Sequence, residues 1–207
     1  MDDQGTNRKG GVAWKAKSRA LTLSYVTVTY NVLEGLIAVA FAILAGSPAL
    51  LGFGIDSFVE SLSGTVMIWR FSGTGDERRE RAAIRLVGVS LILLAVYVAY
   101  EAVTSLYFNE PPERSPVGAI IATLSLLVMP VLYVLKRRTA RDLGSRSLAT
   151  DAKQTLACML LSVALLIGSG LHYVTGFWRA DPIAALLIAA YLVREGYEAW
   201  KEQELCC

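Results

Sequence analysis

The chain has 207 residues, 54% of them hydrophobic, and 20 Lys and Arg against 18 Asp and Glu give a formal charge of +2. Its mean hydropathy is +0.47. The apolar residues come in runs of about 20 instead of the 3.6-residue stripes of soluble amphipathic helices, which excludes an ordinary soluble domain and indicates one polytopic membrane bundle. So small a net charge gives no reason to expect nucleic acid as a partner, and the placement of Lys and Arg carries more information than their sum.

Residues 1–19 are polar and basic, with Arg8, Lys9, Lys15, Lys17 and Arg19, and are expected to form a loosely ordered cytoplasmic arm. The apolar run that follows is too long for the core of a cleavable signal peptide, so it is the first span. Spans are expected at residues 20–44, 50–71, 83–108, 116–135, 148–174 and 182–200, each long enough for a hydrocarbon core of about 30 Å. Residues 201–207 are then a short tail. Irregular backbone cannot face lipid, so the expected fold is an all-α integral membrane protein, a six-transmembrane-helix bundle. Pro130 should kink the fourth span. The halves cross in opposite senses, as an inverted repeat would, but no residue-level self-similarity accompanies that symmetry.

Connections 46–48, 109–115 and 175–181 contain only Arg114 and Arg179 as basic residues, whereas 70–85 and 136–146 are dense in them. With the basic arm, this asymmetry puts both termini in the cytoplasm by the positive-inside rule.

On the first span Asn31 and Glu34 are spaced by three, at about the depth of Glu60 counted from the loop between spans. Glu34 is either an accessory ligand and proton acceptor or a protonated side chain bridging helices through Asn31. The second span carries Asp56 and Glu60 one helical turn apart, so both project from one face at one level of the bilayer. Each ionised side chain near a helix centre costs about 2.5–3.5 kcal/mol on insertion scales, and two like charges repel. The pair therefore stays ionised only beside a cation and otherwise takes up protons. That is the chemistry of a divalent-cation site, against the plainer alternative of a structural pair bonded to another helix, for instance to Lys153. Glu101, about two turns from the outer end of the third span, suits an interfacial or packing role at least as well as ion contact.

The fifth span repeats the spacing with Gln154 and Cys158, and Asp151 precedes Gln154 on a similar face. An amide oxygen and a thiolate can both coordinate metal, the thiolate favouring softer ions. The same residues can instead be a helix-bonding amide and a small buried hydrophobe. Asp151 and Lys153 are expected near the cytoplasmic entrance, able to reach water, with Asp151 attracting incoming cations. His172, the single histidine, is isolated. Asp181 and Pro182 read as the cap and first position of the sixth helix. Cys206 and Cys207 form no defined tetrahedral site.

With these residues in view, the chain resembles the transmembrane domain of the cation diffusion facilitator (cation efflux) family of metal/proton antiporters. Residues 46–60, Gly-Ser-Pro-Ala-Leu-Leu-Gly-Phe-Gly-Ile-Asp-Ser-Phe-Val-Glu, are similar to the family's second-helix signature, with Glu60 in place of its second aspartate. Asp181-Pro182-Ile183-Ala184 is similar to the start of the family's sixth helix, and Glu101-Ala102-Val103 to the end of its third. The resemblance implies a metal site completed by the fifth helix, where the family's His-x-x-x-Asp aligns with Gln154 and Cys158. That departure leaves the transported ion open among zinc, the weakly favoured choice, and other transition metals. The family's cytoplasmic C-terminal domain is not expected after residue 200, so a homodimer would form through the helices.

The expectation is a secondary transporter, not an enzyme, in a bacterial inner membrane, exporting a divalent metal ion in exchange for protons. Its ligands would be Asp56, Glu60, Gln154 and Cys158, with Asn31, Glu34 and Asp151 accessory, and no organic cofactor. The alternative is a metal-binding or regulatory subunit that keeps the fold without transporting. An intramembrane enzyme lacks a nucleophile beside the acid pair.

Overall fold

In the computed structural model the chain runs through α1 (Asp3–Ala45), α2 (Pro48–Ser72), α3 (Glu77–Phe108), α4 (Pro116–Leu143), α5 (Arg146–Thr175) and α6 (Ala180–Glu204). The structure describes residues 3–45, 48–73, 77–109 and 116–204, and the side chains of 14–44, 50–73, 77–109, 116–168, 170, 171 and 174–201. Cys206 and Cys207, most of the expected 46–48 and 109–115 connections, and the side chain of His172 lie outside the described residues.

The largest departures from the expected boundaries are at two places. α1 begins at Asp3, so the arm expected to be loose is a helical extension of the first span. α4 passes Pro130 without ending and continues beyond residue 135 to Leu143, which leaves only a tight turn at Gly144 before α5. Asn109, Gly144 and Gly176 have φ of 54°, 62° and 75°, the left-handed conformation that stops a helix and that Asn and Gly adopt most readily.

Among the described residues, four stretches are long and apolar enough to cross a membrane: Trp14–Leu44, Glu77–Phe108, Pro116–Leu143 and Arg146–Gly168. α2 and α6 match them in reach at about 1.5 Å per residue. They are more polar, α2 through Asp56, Glu60 and its serines and α6 through Arg194, Glu195 and Glu198. The bundle's outside is apolar: Leu44 is 81% exposed and Leu127 68%. Its inside mixes small apolar clusters with Ser, Thr, Asn and acidic side chains. This is the arrangement expected where the surrounding solvent is itself apolar and helices associate through small and polar residues.

The most extensive pairings are α1 with α2 and α3 with α6, and each rests on a pair of glycines. A Cβ at Gly54 would sit 2.7 Å from Val39 Cγ2 and 3.2 Å from the Gly35 carbonyl, while one at Gly35 would meet the Gly54 carbonyl at 3.2 Å. A Cβ at Gly196 would lie 2.7 Å from Ile92 Cγ1 and 3.0 Å from the Gly88 carbonyl.

At the end of the bundle rich in basic residues, α5 starts on a built cap. Glu80 of α3 accepts from the Ser147 N–H, the Ser145 hydroxyl and the Ser147 hydroxyl, each at 2.9 Å, and Arg70 of α2 holds its other side at 2.5 Å. A carboxylate at a helix N-terminus satisfies open backbone donors and faces the favourable end of the helix dipole. Two helices, α2 and α3, thereby fix where α5 begins, and so the depth of everything along it.

Gly54→Val should force α1 and α2 apart and cost about 1–3 kcal/mol, and Glu80→Ala should cost about 1–3 kcal/mol by stripping the cap and leaving Arg70 unpaired. Both are read from denaturant or thermal unfolding in detergent micelles.

Candidate metal centre

α2 and α5 run antiparallel, and a polar seam joins them one turn at a time. Cys158 Sγ donates to Asp56 Oδ1 at 3.2 Å, Thr155 Oγ1 to Glu60 Oε1 at 2.6 Å, and Ser63 Oγ to Asp151 Oδ1 at 2.6 Å. Both α2 carboxylates therefore point at α5 and not at lipid. Glu60, Asp151 and Thr155 have no exposed surface, and Asp56 and Cys158 are 7% and 3% exposed. Asp56, Glu60, Cys158 and Thr155 share one face because the three- and four-residue steps between them match the helical repeat on each strand of the seam.

A residue assigned to the loop by sequence completes the seam. Lys136 of α4 is fully buried and heads the largest buried side chains among those described. Its Nζ lies 2.9 Å from Asp151 Oδ2, 2.8 Å from Thr155 Oγ1 and 3.9 Å from Glu60 Oε1. Because Thr155 accepts from the ammonium, its single proton goes to Glu60. The hydroxyl thus carries the pull of the positive charge to Oε1. The other oxygen, Glu60 Oε2, is buried without a partner, an arrangement that is costly unless something supplies it with a donor or a cation.

Other expected residues take different places. Gln154 is buried beside the seam, but its Nε2 donates to the Val59 carbonyl at 3.1 Å and its Oε1 accepts from Ser90 of α3 at 3.1 Å. Its one ligating atom is thus engaged elsewhere. Asp151, expected to reach water, is sealed inside and held by Lys136 and Ser63, because α4 continues as a covering helix at that level. Lys153 instead pairs with Glu195 and, at 3.9 Å, with Glu198 of α6, so it does not contact the α2 acids. Glu34 accepts from the Tyr30 hydroxyl at 2.9 Å and from Ser57 of α2 at 3.0 Å, without the bridge through Asn31. Asn31 Nδ2 donates to the Thr27 carbonyl at 3.0 Å, and its Oδ1 is buried and unpartnered.

Toward the opposite end, Tyr97 and Glu101 of α3 press against α2 at Gly52, where a Cβ would stand 2.6 Å from the Tyr97 hydroxyl and 2.7 Å from Glu101 Oε2. Glu101 is thus packed at α2 one turn from Asp56, toward the start of that helix. Asp181 lies within the first turn of α6, which starts at Ala180, and its Cβ would be 2.5 Å from a Cβ at Gly168 of α5.

The α2 acids and the α5 thiol offer two hard oxygen donors and one soft sulfur, a combination able to take a borderline divalent ion as substrate. Among the described residues, however, no three His, Cys, Asp or Glu side chains converge as a ready cage. Sequence reasoning missed Lys136, Thr155 and Ser63. For Lys136 a signal existed, since Ser125, Met129, Leu132 and Lys136 recur at helical spacing on the buried face of α4.

The family model described as the cation efflux transmembrane domain matches residues 24–203. Among relatives, Transmembrane protein 163 of Xenopus laevis is 22% identical over 198 residues, covering 94% of this chain and 70% of that protein. A cadmium, cobalt and zinc/H(+)-K(+) antiporter of Bacillus subtilis is 25% identical over 195 residues, covering 90% and 62%. The protein of the same description from Bacillus velezensis is 25% identical over 204 residues, covering 95% and 63%. The chain spans under two thirds of the length of both antiporters. By the extent of the family match, laid over the α2–α5 seam and the helices that enclose it, the chain belongs to the cation efflux family.

Proposed function

We propose that the chain is a secondary transporter that carries a divalent metal ion out of the cytoplasm in exchange for protons, with the ion held between α2 and α5. The observation that carries this reading is the buried acid pair facing the Cys158 thiol, with Glu60 Oε2 unpartnered. Asp56, Glu60 and Cys158 are the proposed ligands. Gln154 can join them only by leaving Ser90, and Glu34 stands beside the pair through Ser57. Metal entry requires deprotonated ligands, so the Cys158 thiol proton that faces Asp56 and any proton on the acids leave as the ion arrives and return as it departs. The binding event itself supplies the exchange. The names of the two Bacillus relatives agree with metal transport, and the mixed oxygen and sulfur donors leave zinc one choice among several transition metals.

Six spans with both termini in the cytoplasm belong to the same reading. Its support is the way basic groups from separate segments meet at one end: Lys17 donates to the Gly73 carbonyl at 2.7 Å, Arg19 lies 3.8 Å from Asp142, and Arg70 binds Glu80. Arg79 and Arg85 also lie over Trp69 and Trp200, the basic and aromatic dressing of a membrane interface. A homodimer joined through helices is part of the proposal.

One observation favours a second reading, a subunit that binds metal without moving it. Lys136 and Ser90 already engage groups that a transported ion would need.

In proteoliposomes loaded with a metal-sensitive dye, Asp56→Ala and Glu60→Ala should each reduce metal-driven flux to about a tenth or less, as removal of a buried ligand does. Flux at the wild-type rate in both would remove the transporter reading, and metal binding without flux in the wild type would select the second. Reporter domains fused to either end should be active only on the cytoplasmic side.

A further inference from the structure

The only fully buried basic side chain among the described residues sits within reach of the proposed ion site, and its arrangement is that of a competitor. Lys136 stands on the side of Glu60 nearer the basic end of the bundle, between the start of α5 and the acid pair. An ammonium is a compact monovalent cation on a flexible four-carbon stem. Here it donates to Thr155 and forms an ion pair with Asp151, and the hydroxyl of Thr155 relays the attraction to Glu60. Asp151 has no exposed surface and takes a second bond from Ser63. A fixed anion thus holds the ammonium 3.9 Å from Glu60 Oε1, close enough to stabilise that carboxylate's charge yet beyond a direct hydrogen bond.

We propose that Lys136 is a tethered cation that, from its seat against Asp151, offsets the charge of Glu60 when metal is absent and opposes the approach of a divalent ion. This rests on the transport reading above and adds to it a group that sets affinity and release. Without an internal cation, only protons would compete with a divalent ion for the two buried carboxylates. With one standing 3.9 Å from Glu60 Oε1, the departure of metal does not leave that carboxylate without a neighbouring positive charge in a medium of low dielectric. By linkage, a cation that favours the empty site weakens metal binding by the factor it contributes, and its loss tightens binding by the same factor.

The obvious variant, Lys136→Leu, leaves Asp151 buried and unpaired and is expected to fold poorly. The informative protein is Lys136→Leu/Asp151→Asn, which removes both charges together and keeps an acceptor for Ser63. Binding of Zn2+ and Co2+ to the full chain in detergent, by calorimetry and competition with a chromophoric chelator, should be on the order of tenfold tighter in this double variant than in wild type. A coupling of about that size is ordinary between two cations that compete for one site. In proteoliposomes its KM for metal should fall by a similar factor and its maximal flux should fall too, because release slows.

If Lys136 merely neutralises Asp151, the double variant restores that balance, and its dissociation constants match wild type. Unchanged or weaker binding therefore overturns the proposal. Asp56→Ala in the same assays separates the two readings. Binding lost in Asp56→Ala while the double variant stays at the wild-type value rejects the tethered cation alone. Binding retained in Asp56→Ala rejects the metal site itself.

Discussion

Charge inside an apolar shell has to be matched group by group, and the seam between α2 and α5 is where this protein meets that constraint. Three rungs link the helices, Asp56 with Cys158, Glu60 with Thr155 and Asp151 with Ser63, and Lys136 supplies the one buried positive charge among the described residues. Buried ions stabilise little by themselves, since desolvation consumes most of the Coulombic gain. Their value lies in register. A shift of α5 by one residue along α2 would break all three rungs at once and leave the charges without partners.

Several features of the fold follow from holding that register. The Glu80 cap, braced by Arg70, sets where α5 begins, and the rungs count upward from it. The reciprocal glycines of α1 and α2, and of α3 and α6, bring backbones close where no hydrophobic effect drives helices together. The tight turn at Gly144 returns the chain directly from α4 into α5, so that Lys136 and Asp151 meet across neighbouring helices. Rigid packing and a built cap place a chemically demanding set of groups on helices and not on loops.

The seam also relates the fold to movement of an ion. Its donors change character along its length, from a lysine-neutralised acid at the basic end, through Glu60 with one unpartnered oxygen, to Asp56 beside a thiol, with Glu101 packed one turn beyond. On the transport reading proposed above, an ion passing along α2 would meet a graded series of carboxylates.

How much of this was legible beforehand depended on the kind of information involved. Apolar runs set the number and approximate limits of the helices, because segment length against a bilayer of about 30 Å is a local property. The four-residue step from Asp56 to Glu60 announced a shared polar face, because helical geometry makes spacing equivalent to direction. The motifs over residues 46–60 and at Asp181 also point to the cation efflux family, and the match over residues 24–203 agrees. Partners were another matter. Sequence places Lys136 in a loop, whereas α4 extends past it; it gives Gln154 no partner, whereas its oxygen accepts from Ser90; and it places Asp151 near water, whereas α4 covers it. Each depends on which side chain of a different helix stands opposite, a contact between residues distant in the chain. Sequence spacing determines the face a residue presents, but only the packed bundle decides what that face meets.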